Sequence, residues 1–167
     1  MSNAEAAAPA NSLTRRANDV PAMLLPVADK LLLLPGVSVA EIVNYSYPDC
    51  PDNAPEWFLG YINWRKLSVP LVSFEMLNGQ GMPRSSGSRR IAVLNNTGVS
   101  DGIPFIAILI QGIPRLLRIT DRDLGDVTDA VLAPAEQLAA NLPGGETVFI
   151  PDVSALERAF ADYLKNC

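Results

Sequence analysis

The sequence predicts a mainly β protein, and three observations carry that prediction. From Val20 onward short apolar runs recur, each closed by Pro, Gly, Asn or Asp, which is the punctuation of strands joined by tight turns. The run Phe105-Ile106-Ala107-Ile108-Leu109-Ile110 is apolar on both of its faces, so it needs cover on both sides, as a wall shared by two packed sheets or barrels would have. A helical period appears clearly only at the C-terminus, where Val153, Leu156, Phe160 and Leu164 line one face.

Taken in order, Met1 to about Asp19 is rich in Ala, Asn and Ser without a periodic apolar pattern, and residues 1–19 are expected to form a flexible tail ahead of one domain over 20–167. Strands are expected at Ala22 to Val27, Lys30 to Leu34, Ile42 to Tyr47, Trp57 to Asn63, Leu67 to Phe74, Arg90 to Leu94, Phe105 to Gln111, Arg115 to Thr120 and Thr147 to Ile150. Ile42 to Tyr47 alternates, with Val43, Tyr45 and Tyr47 opposite Ile42, Asn44 and Ser46, which predicts cover on one side only. Pro26, Pro70 and Pro114 lie in or beside strands and lack the donor a central ladder needs, so they imply edges, bulges or sharp corners. A turn of helix is expected near Val37 to Glu41, a short helix near Pro134 to Ala140, and a mobile loop over Asn78 to Ser88. Ser154-Ala155-Leu156-Glu157 matches a capping box at the start of a closing helix from about Ala155 to Leu164.

The length of 167 residues suits one domain or two small lobes sharing a core, and 49% apolar residues is the range of ordinary folded proteins. A net charge of -5 works against non-specific binding to nucleic acid or anionic lipid. Arg84, Arg89 and Arg90 come nearest to a basic patch, and they read as the solvated edge of a Gly/Ser loop. No apolar run approaches the roughly 20 residues that span a bilayer, and Met1 to Asn18 lacks a basic start and an apolar core, so a cytoplasmic protein without membrane insertion is expected. Asn44-Tyr45-Ser46 and Asn95-Asn96-Thr97 match the glycosylation pattern, which has no mechanism in that compartment.

Chemistry is sparse. The chain has no histidine, which removes the commonest general base, every Ser-His or Cys-His pair and most zinc and copper sites. Asp121, Asp123, Asp126 and Asp129 are the densest carboxylates, but their spacing fails the calcium-loop pattern and they read as a solvated turn. Gly79 and Gly81 lack the third glycine and the helix of a phosphate loop. Ser68 and Lys66 would share a strand face, with no candidate oxyanion hole beside them. Cys50 and Cys167 form neither a disulfide framework nor a metal pattern, and both are taken as free thiols. No enzyme, metal or cofactor is expected.

The informative stretch runs from Leu59 to Val72: two apolar runs close around a polar tip carrying Arg65. An arginine on a rigid hairpin offers a planar, permanently charged group with five donors to carboxylates or carbonyls of a partner. Alternation puts Phe58, Gly60, Ile62 and Trp64 on one face and Leu59, Tyr61 and Asn63 on the other. Phe58 and Ile62 are expected in the core, and Trp64 is open between core and surface. Gly60 within a strand signals a bulge or a close backbone approach. The candidate partner-binding residues are Arg65, Asn63, Trp64, Lys66 and Gly60.

These residues resemble the CheW-like domain, the coupling module of bacterial chemosensory arrays. The resemblance rests on Glu41-Ile42-Val43, on Pro55-Glu56-Trp57-Phe58-Leu59-Gly60-Tyr61-Ile62-Asn63-Trp64-Arg65-Lys66-Leu67-Ser68-Val69-Pro70-Leu71-Val72, and on Phe149-Ile150-Pro151-Asp152 before the last helix, spanning about Pro21 to Leu164. It implies two five-stranded SH3-like barrels around a shared apolar interior, with a C-terminal helix. It also implies a non-enzymatic adaptor between the cytoplasmic tips of chemoreceptors and a CheA-type histidine kinase, with Arg65 at the family's coupling arginine. Lys66 replaces the family's usual glycine, and Ile110-Gln111-Gly112-Ile113-Pro114 replaces its usual Val-Asp-x-Val, which points to a divergent adaptor, for example of a pilus-motility system. The competing expectation is a barrel that binds a small ligand without a signalling partner.

Overall fold

A computed structural model describes residues 19–84 and 87–167, so all of the expected tail except Asp19 lies outside the described residues, as do Ser85 and Ser86 of the expected loop. Among the described residues, eleven strands and two α-helices follow in chain order: β1 (Val20–Pro26), β2 (Leu31–Pro35), β3 (Val39–Asn44), β4 (Phe58–Trp64), β5 (Leu67–Val72), α1 (Phe74–Leu77), β6 (Arg90–Asn95), β7 (Phe105–Ile110), β8 (Arg115–Ile119), β9 (Gly125–Asp126), β10 (Glu136–Asn141), β11 (Thr147–Pro151) and α2 (Val153–Lys165). They form a six-stranded sheet in the order β8-β1-β2-β11-β10-β9 and a five-stranded sheet in the order β3-β6-β7-β5-β4.

The apolar residues sort into three layers. Ala22, Leu24, Leu33, Ala140 and Val148 fill the interior of the six-stranded sheet, and Ile62, Trp64, Val69, Ile91 and Leu109 that of the five-stranded sheet. A third cluster joins the sheets, drawing Leu25 and Leu32 from the first, Phe58, Ile106, Ile108 and Ile110 from the second, and Leu156 and Phe160 from α2. β7 divides itself as its two-sided apolarity requires: Ile106, Ile108 and Ile110 face the shared core, while Ala107 and Leu109 face their own sheet's interior. The double-barrel architecture follows, with the two-residue β9 as the sixth strand of one half.

Several expectations need correction. The segment near Pro134 to Ala140 is strand β10 and not a helix; a bulge between Glu136 and Leu138 hides the alternation, and pairing with β11 overrides the helical preference of Glu, Gln, Leu and Ala. The strand expected at Ile42 to Tyr47 is β3, ending at Asn44, with both faces half-buried: Val39 and Ile42 touch the shared core, and Ala40 and Val43 the barrel interior. The helical turn near Val37 is a 3-10 turn over Gly36–Ser38. β5 stops at Val72 because Ser73 turns to cap α1, accepting from the Met76 amide. At α2 the cap is Asp152, whose carboxylate accepts from the Ala155 amide. Glu157 is not part of a capping box: fully buried, it accepts instead from the backbone and hydroxyl of Thr97, tying the β6–β7 connection to the helix.

Candidate partner-binding surface

The β4–β5 hairpin pairs Trp64 with Leu67, leaving Arg65 and Lys66 as a two-residue turn. Both have positive φ, 49° and 66°, the geometry of a type I′ turn, which matches the twist of its flanking strands and usually takes Asn-Gly. The turn therefore projects two cations from the end of the five-stranded sheet.

What stands behind Arg65 decides how it is presented. The Trp64 indole is buried at 6% exposure, packs edge-on against Phe105 with centroids 4.7 Å apart, and donates its N–H to the carboxylate of Glu41 on β3. The Arg65 guanidinium lies over the same indole at 4.7 Å, and its Nε is 3.7 Å from Glu41 Oε2. β3 and β4 are opposite edges of the five-stranded sheet, so one carboxylate joins the two edges and restrains the arginine. The Arg65 side chain is still 66% exposed, which leaves guanidinium donors for an incoming acceptor.

The expected residues thus separate into roles. Arg65, Asn63 and Lys66 are exposed together at the hairpin end. Trp64 is core, reaching the surface through the arginine stacked on it. Gly60 is not a surface residue: the chain's own Asp49-Cys50 segment crosses it, and a Cβ there would stand 2.6 Å from the Asp49 carbonyl oxygen. Asp49 and Tyr61 exchange backbone bonds of 2.8 and 2.9 Å above it, and the φ of +125° fits the bulge between Phe58 and Gly60. Glu41 was missing from the sequence-based set because it lies 23 residues before Trp64, and nothing local pairs the two.

Elsewhere the polar groups serve the fold. Asp123 caps the 3-10 turn at Asp121–Asp123, accepting from the Thr120 amide at 2.7 Å, while Asp121 and Asp126 are exposed. Glu136 pairs with Lys30, which also sits 4.5 Å over the Phe149 ring. Arg89 lies 4.0 Å over Tyr45, beside a groove of about 360 Å³ lined by Tyr45, Tyr47, Leu59, Met82 and Arg89 among others. The described residues contain no cluster of three or more His, Cys, Asp or Glu placed to hold a metal, and no helix among them is long and apolar enough to cross a membrane.

Comparison with known proteins adds two findings. The CheW-like domain family matches residues 21–160. Among solved structures, the scaffolding protein TtCheW from Thermoanaerobacter tengcongensis is similar with a TM-score of 0.67 at 16% identity, covering 79% of this chain and 88% of that chain. At that identity the likeness is one of fold. No curated protein matches the chain.

Proposed function

The chain belongs to the CheW-like domain family, and from that premise we propose that it is a cytoplasmic, non-catalytic adaptor of a bacterial chemosensory complex, holding chemoreceptor tips and a CheA-type histidine kinase together by reversible binding. The observation that carries this reading is the Arg65 knuckle: a cation stacked on a buried indole, restrained by Glu41 and still mostly exposed. A guanidinium held this way loses less freedom on binding than a free one, and it offers planar donors to a partner's carboxylates or carbonyls. The solved relative TtCheW, described as a scaffolding protein, supports the same reading through its fold.

An adaptor needs two contacts. The knuckle supplies one, and the groove beside Tyr45 and Tyr47 has the aromatic, Met and Arg composition of an interface core. The competing small-ligand barrel would need space inside a sheet, yet Ile62, Trp64, Val69 and Leu71 occupy the interior of one and Leu24, Leu33 and Val148 that of the other. The departures at Lys66 and at Ile110 to Pro114 favour a divergent system, such as one driving pilus motility.

The test is a binding titration of the chain against chemoreceptor tip fragments and a CheA-type histidine kinase from the same organism. Arg65→Glu is expected to weaken at least one of the two by about thirtyfold or more, the scale of a hot-spot loss, with an unchanged circular dichroism spectrum. Wild-type affinity of that variant for both partners refutes the role of Arg65, and no affinity of the wild-type chain for either refutes the adaptor reading.

A further inference from the structure

The groove beside Tyr45 and Tyr47 is one half of a longer trough. A second hollow of about 530 Å³ adjoins it, and the two share Met82, Pro83 and Gln111. The first half is apolar and aromatic: Tyr45 and Tyr47 meet edge-on with centroids 5.6 Å apart, beside Pro48 and Leu59, and Tyr47 is 88% exposed. The second half is polar, with Asp29, Gln80 and Arg84 in its wall. β3 ends at Asn44, paired with Arg90 of β6, so Tyr45 and Arg89 stand just past the ladder, one stacked on the other. Leu109 lines the trough four residues along β7 from the Phe105 that packs on Trp64, which places the trough about 13 Å from the knuckle end.

Among the described residues, three kinds of polar group in this trough have no partner. Gln111 Oε1 is buried and accepts no hydrogen bond; the Arg89 guanidinium meets no carboxylate, and the Tyr45 and Tyr47 hydroxyls bond nothing. A ligand that fits must therefore bring an N–H for Gln111, an acid for Arg89, carbonyl oxygens for the tyrosines and apolar bulk for their rings. A peptide in polyproline II form brings all four: its carbonyls make no internal bonds, its side groups recur three to a turn, and such segments dock in aromatic-lined grooves. A helix satisfies its own carbonyls, and an added strand needs a free ladder, which stops at Asn44.

We infer that the trough binds an acidic, proline-containing segment of a partner protein in polyproline II form. Its prolines lie on Tyr45, Tyr47 and Pro48, a carboxylate meets Arg89, and a backbone N–H donates to Gln111 Oε1. The inference deepens the adaptor reading, on which it rests for there being a partner, by giving the chemistry of the second contact.

The probe is a fluorescein-labelled, end-capped peptide Asp-Leu-Pro-Pro-Leu-Pro-Asp, titrated with the full chain and followed by fluorescence polarisation. Saturable binding is expected, weakened about tenfold or more by Tyr47→Ala or by Arg89→Ala. Gln111→Leu should also weaken it while unfolding no earlier in urea than wild type, because the acceptor it removes is buried and unpartnered in the free chain. Arg65→Glu should bind the peptide as wild type does, since the knuckle lies at the other end of β7. Absence of saturable binding overturns the inference. So does equal affinity for the peptide with Lys in place of each Asp or Ala in place of each Pro, or unchanged affinity in both Tyr47→Ala and Arg89→Ala. The titration with receptor tips and kinase separates the two readings. A chain that binds those partners and not the peptide overturns this inference alone, whereas one that binds the peptide and neither partner supports the trough and refutes the adaptor.

Discussion

Glu41 shows how much of the knuckle depends on one side chain. Its carboxylate accepts from the buried Trp64 indole and faces Arg65, so two substitutions separate the contributions. Glu41→Ala leaves the indole N–H buried without its acceptor, and it should cost about 1–3 kcal/mol in urea unfolding. Glu41→Gln keeps a neutral acceptor while removing the half-exposed ion pair, and it should cost under about 1 kcal/mol. Equal losses in the two variants would mean that the ion pair, and not the indole bond, joins the sheet edges. At this scale Arg65 was legible because a charged residue between two apolar runs has to sit at a turn. Gly60 announced a close approach without saying by what, since the approaching Asp49 carbonyl is set by tertiary folding. Lys66 at φ 66° is a position glycine adopts more readily, so this turn keeps a cation at the cost of some backbone strain.

Among the elements, α2 was visible from its period, but the residue that starts it was misread. Ser154 and Glu157 have capping-box spacing, yet Asp152 makes the cap and Glu157 is drawn inward by Thr97, a group from a distant connection. The carboxyl of Asp152 is held below its ordinary range, chiefly by the Ser154 hydroxyl, against desolvation, with the Ala155 amide and Arg158 adding to the effect. A carboxyl lowered in the folded state stabilises above the unfolded value of about pH 4 and loses that contribution as pH falls through the folded one. Asp152→Ala should therefore lower stability by about 1 kcal/mol at neutral pH, and the difference from wild type should vanish in acid. A difference that persists unchanged at low pH would assign the loss to packing instead. β10 was illegible for a related reason: its residues prefer helix, and only the partner strand β11 and the bulge at Glu136/Leu138 make it extended.

For the whole molecule the two-sided β7 was the decisive legible feature, because an all-apolar strand of six residues has no stable place except between two layers. The number of strands in each half was not legible, since β9 has only two residues and no apolar run. Three contiguous apolar layers imply that neither half can release its outer cluster without exposing the shared one, which should make unfolding a single transition. The tryptophans permit a direct check. Trp64 lies inside the five-stranded half and Trp57 packs on the shared core, so fluorescence reports on those two layers and not on the interior of the six-stranded sheet. Leu24 is buried in the opposite interior, within the six-stranded sheet. Leu24→Ala should destabilise by about 2–5 kcal/mol, and the fluorescence transition should move by the full amount, coincident with circular dichroism. A fluorescence midpoint that stays at the wild-type value while circular dichroism shifts would show two lobes unfolding separately, and the arginine knuckle would then rest on the five-stranded half alone.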